Sequence, residues 1–311
     1  VSRGPYPLAL AKVTIAVVAW GASFVATKQA LADAQPATVV WLRFAMGVAI
    51  LGLAVAARRQ LAPPPARELG LLALLGFLGV AFHQWLQANG LVTAQATTSA
   101  WIVATTPIFA ALLGRLVLGE RLGGWRALGI PLAAAGVLIV VARGDLAALA
   151  AGQFGTPGDL LVLFSAPNWA VFTVLSRHSL ARFAPAQLML YVMSLGWLFV
   201  TPWFLVAAGP GDLARLTTGG WLAVGFLGVF CSGLAYIFWY DALQVIPAGR
   251  LSAFLYVEPL VTVAVAAALG REAVLASTLL GGAAIVAGVW LVNRPAARPA
   301  AAAAVASEPP T

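Results

Sequence analysis

Gly76-Phe77-Leu78-Gly79-Val80 returns as Gly225-Phe226-Leu227-Gly228-Val229, 149 residues further along the chain. The stretch is apolar, and alone its return proves little. Its surroundings at the same offset are harder to obtain from compositional bias: Trp20 with Trp169, Leu31-Ala32 with Leu180-Ala181, Pro36-Ala37 with Pro185-Ala186. Beyond Val229 the offset becomes 152, which implies three extra residues between Val229 and Ala248. In that register Ala96 pairs with Ala248, Pro107 with Pro259, Glu120 with Glu272, Leu128-Gly129 with Leu280-Gly281 and Ala135-Gly136-Val137 with Ala287-Gly288-Val289. Trp, Pro and Glu recurring in order mark a duplicated unit.

The solvent of that unit follows from composition. Hydrophobic residues make up 62% of the chain and charged residues 9%, against about 25% charge in soluble domains. A water-soluble fold this apolar would expose large sticky patches. The charges instead cluster at the ends of long apolar runs, as expected when lipid is the solvent. About 20 residues cross the hydrocarbon layer as a helix, and ten such runs are read: 8–28, 36–56, 68–91, 97–118, 125–141, 159–176, 185–207, 220–242, 248–269 and 273–292. The first has the length of a signal peptide, but it carries no small-residue cleavage site before Lys28 and is copied at 169. The expected fold is therefore all-α and polytopic: ten transmembrane helices in two five-helix units, residues 1–145 and 155–293, with a disordered Ala/Pro-rich tail at 294–311.

Five is odd, so the second unit enters the membrane from the opposite side, as in the inverted repeats of secondary transporters. With the N-terminus in the cytoplasm, thirteen Lys and Arg residues fall on the cytoplasmic side. Four fall outside (Lys28, Arg143, Arg215 and Arg271) and Arg43 lies within a span. This positive-inside bias places both termini in the cytoplasm.

Other classes are poorly served. The net charge of +8 forms no basic stripe, so no nucleic-acid partner is expected. The single cysteine, Cys231, allows no intrachain disulfide, and His83 and His178 are too far apart in sequence to suggest a metal site. No cofactor is expected. Neither His-Glu-x-x-His nor Gly-x-Ser-x-Gly occurs, which disfavours a membrane enzyme. A carrier with a small-molecule substrate fits best. A channel, or a transporter of another metabolite or a drug-like cation, is the alternative.

Ionisable groups inside a span are costly and mark function by default. Glu258 lies mid-run before Pro259, and reads either as a proton-carrying or gating carboxylate or as an acceptor serving the proline break. Arg43 and Lys28 suit a substrate carboxylate, or snorkel to the interface; Arg43 is the deeper. His83, Gln84, Gln87 and Asn89 form the richest polar patch. His83 and Gln87 share a face that lipid will not host, so it points inward, toward substrate or toward hydrogen bonds between helices. Trp101 suits a pocket or an interfacial belt. Asn168-Trp169 after Pro167, and Trp20, lie too deep for a belt. Tyr191, Tyr236, Trp239, Tyr240, Phe254 and Tyr256 form a second aromatic group, suited to flat or amphipathic ligands or to packing. Small residues such as Gly136 and Gly288 suit close helix packing, within the chain or at a dimer face.

These elements resemble the drug/metabolite transporter superfamily, and within it the EamA-type transporters. Trp20-Gly21-Ala22-Ser23-Phe24 with Lys28 is similar to the family's first-helix pattern and Leu42-Arg43-Phe44 to its second. Thr106-Pro107-Ile108-Phe109 with Leu118-Gly119-Glu120-Arg121 is similar to the fourth, and Glu258-Pro259 with Gly270 to the copy of it. Gly270-Arg271-Glu272 departs from the family's Gly-Glu by one inserted residue. The resemblance covers about residues 8 to 293. It implies multi-pass residence in a bacterial inner membrane and export of small metabolites, with the amino-acid exporters, aromatic ones included, the most similar group. It also allows a homodimer.

Overall fold

The computed structural model describes residues 6–118, 124–145, 147, 150–151 and 155–293. The expected tail at 294–311 and the Glu120-Arg121 motif lie outside them. Every regular element among the described residues is helical. Ten helical runs follow one another: α1 Tyr6–Leu31, α2 Pro36–Ala57, α3 Ala66–Thr93, α4 in two pieces (Ala96–Val103 and Thr106–Leu118) and α5 Gly124–Ala142. Then come α6 Pro157–Leu180, α7 Pro185–Ala207, α8 Thr218–Leu243, α9 in three pieces (Ala248–Ala253, a 3-10 turn Phe254–Val257, and Glu258–Ala268) and α10 Ala276–Asn293. Nine of these runs are long and apolar enough to cross a membrane; the apolar part of α5, Ala127–Ala142, is shorter. With 19 residues, α5 is still about 28 Å long, close to the hydrocarbon thickness. The chain is a multi-pass membrane protein.

Two boundaries differ from the sequence expectation, each for a chemical reason. Helix α6 starts at Pro157 rather than 159, because Thr156 and Asp159 form a reciprocal capping box there. Helix α10 starts at Ala276 rather than 273, because the preceding segment turns away to offer Glu272 to α4.

The repeat has a structural counterpart. Both α3 and α8 contain a π-helical segment, Phe77–Phe82 in one and Phe226–Leu234 in the other. The second has nine residues to the first's six. Phe77 pairs with Phe226 at the offset of 149. Helix α8 ends at Leu243 and α9 starts at Ala248, against Thr93 and Ala96 in the first repeat, so two of the three extra residues lie in the connection and one in the widened helix. Helices α4 and α9 are also broken at matching places, just before Thr106-Pro107 and Glu258-Pro259. Proline has no N–H to donate and its ring crowds the carbonyl one turn back, so each helix restarts there.

Small residues set the packing. A Cβ on Gly129 would lie 2.5 Å from the Gly288 carbonyl oxygen, and one on Gly136 2.6 Å from that of Gly281. The glycine faces of α5 and α10 are thus spent on each other within the chain. Gly47 brings α2 against Ser232 of α8, and its repeat partner Gly196 brings α7 against Gly76 of α3. Gly21 brings α1 against the Glu258 carbonyl of α9.

Polar ties close the two ends of the bundle. Where α1 finishes, Lys28 Nζ donates to the carbonyls of Leu91 (3.3 Å) and Ala94 (2.5 Å). Glu272 accepts the N–H groups of Ala96 (2.7 Å) and Thr97 (3.0 Å) and the Thr97 hydroxyl (2.7 Å). The tip between α3 and α4 is thereby held from both α1 and the α9–α10 connection. Asp212 accepts from Gln35 and Thr38, and Asp33 from Thr217, at the same end. Where α1 starts, Asp241 bridges Lys12 (2.6 Å) and Arg58 (2.8 Å), and Glu68 pairs with Arg182.

Candidate functional site

The π segments of α3 and α8 end where the candidate residues begin. After them come His83, Gln84 and Gln87 in α3 and, in the corresponding stretch of α8, Ala235, Tyr236 and Trp239. Trp20 of α1 and Trp169 of α6 pair in the repeat. Symmetric positions thus carry polar chemistry on one side and aromatic chemistry on the other. Each residue added within a helix turns the following face by roughly 100°, so the π segments determine which side chains follow on the inner face.

On the aromatic side, Trp20 meets Tyr236 edge-on (centroids 5.3 Å apart) and Trp239 at a tilt (5.3 Å). Its indole N–H donates to the Cys231 carbonyl, within the π segment, at 2.9 Å. Tyr240 continues the stack from Tyr236 at 6.3 Å. On the polar side, the His83 ring lies 4.7 Å from Trp169, which lies 4.7 Å from Phe172. Asn168 donates to the Leu78 carbonyl at 2.8 Å, again within a π segment, and so joins α6 to α3.

Arg43 links the two sides. It is buried, with Nε donating to Ser232 Oγ on α8 (3.1 Å) and Nη1 to Gln84 Oε1 on α3 (3.4 Å). A charge at mid-bilayer costs about 2.5–3.5 kcal/mol on insertion scales, and both of these partners are neutral. Glu258 heads the last piece of α9, where its carbonyl, like that of Gly21, takes the Thr262 hydroxyl. Its carboxylate has no hydrogen bond or ion pair among the described residues. Tyr236 lies one helical turn beyond Ser232, the residue that Arg43 holds.

Several candidates are not brought to this group. Trp101 is 2% exposed and packs on Gly282 of α10, its indole N–H without an acceptor among the described residues. Tyr191 donates to the Ala62 carbonyl at the end where α1 starts. Tyr256 is bonded by Asn293 in the last turn of α10, and Phe254 packs with the starts of α1 and α9. Lys28 is engaged in its tie, and Asn89 bonds locally to the Trp85 carbonyl. Gln87 is half-buried on the face of His83. Sequence reasoning missed Ser232 and the capping role of Glu272; only Glu272 left a signal, its match to Glu120. A separate open pocket of about 220 Å³ at the Lys28 end is lined by Gln29, Ala96, Arg271 and Glu272 among others. No metal-binding group of His, Cys, Asp and Glu is present among the described residues.

Comparison with known proteins agrees with this architecture. A transporter of Archaeoglobus fulgidus, itself uncharacterised, is 30% identical over 90% of this chain and 96% of its own length. A probable terminal-alkyne amino-acid exporter of Streptantibioticus cattleyicolor is 29% identical over 91% of this chain and 92% of its own. An uncharacterised inner membrane transporter of Escherichia coli is 25% identical over 82% of this chain and 80% of its own. One solved crystal structure shares the fold, with a TM-score of 0.65 and 22% identity, covering 91% of this chain and 95% of that one. The model of the EamA-like transporter family matches twice, over residues 8–142 and 156–294. Two matches spanning nearly all the helices, on a bundle whose two halves share π segments and proline breaks, lead to one conclusion: the chain belongs to the EamA-like transporter family.

Proposed function

We propose that this protein exports small metabolites, chiefly amino acids including aromatic ones, across a bacterial inner membrane. It has both termini in the cytoplasm and is not an enzyme. The observation that carries the reading is the aromatic group of Trp20, Tyr236, Trp239 and Tyr240 beside the buried Arg43. Flat rings with polar tips offer stacking to an aromatic side chain, and a guanidinium offers paired donors to a carboxylate. The amino-acid exporter among the relatives supports the same class.

Movement is by alternating access around the space between the two repeats, a mechanism that inverted repeats favour. In this topology the ties of Lys28 and Glu272 lie on the outer side, where they act as the outer gate. The substrate then enters from the cytoplasm and leaves when those ties release.

Purified protein in proteoliposomes should take up labelled tryptophan and phenylalanine saturably, and should exchange them in counterflow. Threonine and a sugar serve as contrasts. Linear, non-saturating flux without counterflow would make the protein a channel instead.

A further inference from the structure

Two charges stand inside the bundle without a counter-ion among the described residues. Arg43 has five N–H donors, of which two meet neutral acceptors, Ser232 and Gln84. Glu258 is the exception among the described acidic side chains: Asp33, Glu68, Asp159, Asp212, Asp241 and Glu272 are each bonded or ion-paired, and Asp145 is also engaged. Arg43 and Glu258 form no ion pair with each other.

The repeat shows that the scaffold does not require either charge. Arg43 pairs at the offset of 149 with Val192, buried in α7. Glu258 pairs at 152 with Thr106, which heads the second piece of α4 before Pro107 as Glu258 heads the last piece of α9 before Pro259. Thr106 serves its own proline break by donating its hydroxyl to the Val103 carbonyl. The same backbone is built twice, once with each charge and once without. The charges are additions to the fold, and an ionisable side chain kept in the membrane interior without a structural need marks a substrate path.

We propose that Arg43 and Glu258 are the two poles of a zwitterion site. Arg43 takes the substrate's α-carboxylate and Glu258 its α-ammonium, while the substrate side chain lies against Trp20, Tyr236 and Trp239. The two poles meet around Trp20: its indole bonds the Cys231 carbonyl beside the Ser232 that Arg43 holds, its neighbour Gly21 shares the Thr262 hydroxyl with the Glu258 carbonyl, and its ring meets Tyr236 edge-on. A zwitterion neutralises both poles on entry. An anion or a cation neutralises one and leaves the other unpaired in a medium of low dielectric, so it binds less well. This inference rests on the amino-acid reading above and adds which parts of the amino acid are read.

The test is counterflow of labelled tryptophan against three competitors: tryptophan, N-acetyltryptophan (an anion) and tryptophan amide (a cation). Both derivatives should compete at least about tenfold more weakly than tryptophan, a gap of about 1.4 kcal/mol. Arg43→Gln should raise the potency of the amide relative to tryptophan, and Glu258→Gln that of N-acetyltryptophan. If tryptophan is carried but all three compete equally, the assignment of the poles is overturned and the amino-acid reading stands. If both variants shift both derivatives alike, the assignment also falls. If folded protein carries another solute and no amino acid, the amino-acid reading itself fails. The wild-type competition decides the matter even if Arg43→Gln, having lost its bonds to Ser232 and Gln84, does not fold.

Discussion

Trp101 and Trp169 are the same residue type, and their surroundings give them different work. Trp101 is enclosed against α10, where a Cβ on Gly282 would collide with its ring. Trp101→Ala should leave a cavity and cost about 3–5 kcal/mol of stability, seen as a lower melting temperature in detergent and a lower folded yield. Transport per folded molecule should be retained. Trp169 is half-buried, with its ring on His83 and Phe172. Trp169→Ala should reduce transport per folded molecule several-fold with a smaller loss of stability; equal losses in both would assign it to folding. The residue types at the site were legible in the sequence, but their directions were not. A helix apolar on every side gives no periodic signal of which face is inward, so Trp20 and Tyr256 looked alike until Trp20 met Tyr236 and Tyr256 turned to Asn293.

At the scale of the element, the tip joining α3 to α4 is held largely by one carboxylate. Glu272 caps two backbone N–H groups and a hydroxyl at the start of α4, and replacing such a cap costs about 0.5–2 kcal/mol. Glu272→Gln should loosen this end. Ala96, which is buried in the tie, provides the probe. Ala96→Cys in a Cys231→Ser background should be labelled several-fold faster by a membrane-impermeant thiol reagent once Glu272 is also replaced; an unchanged rate would mean that the other ties keep this end shut. The α5–α10 contact makes a separate prediction. A Cβ at Gly288 would lie 2.6 Å from the Gly129 carbonyl oxygen and from the Ala133 nitrogen. Because these neighbours are backbone, Gly288→Ala should push the helices apart and cost about 1–3 kcal/mol, read as a fall in melting temperature. The duplication behind both contacts was legible from matched Trp, Pro and Glu. The place of its three-residue shift was not, because it is divided between the widened turns of Phe226–Leu234, which nothing in their composition marks, and a longer connection between α8 and α9.

For the whole molecule, the remaining question is which end faces the cytoplasm. Packing of the bundle is the same either way up, so the answer rests on charge. The sequence assigns thirteen Lys and Arg residues to the cytoplasmic side and four to the other, a bias large enough to specify one insertion rather than a mixture. A reporter active only in the cytoplasm should therefore give a signal when fused after Asn293, and one active only outside should give a signal when inserted between Gly209 and Thr217. A cytoplasmic C-terminus requires an even number of crossings, and the count depends most on α5, whose apolar part is the shortest. If the C-terminus instead read outside, α5 would be the helix to discount, leaving nine crossings. But α5 lies along α10 through Gly129 and Gly136 against Gly288 and Gly281, so removing it from the membrane would strip α10 of its partner. It would also leave the second five helices with the same orientation as the first four, and the pairing of Arg43 with Val192 and of Glu258 with Thr106 would no longer relate opposite faces of one site. The reporter result therefore tests the span count and the symmetry behind the substrate site together.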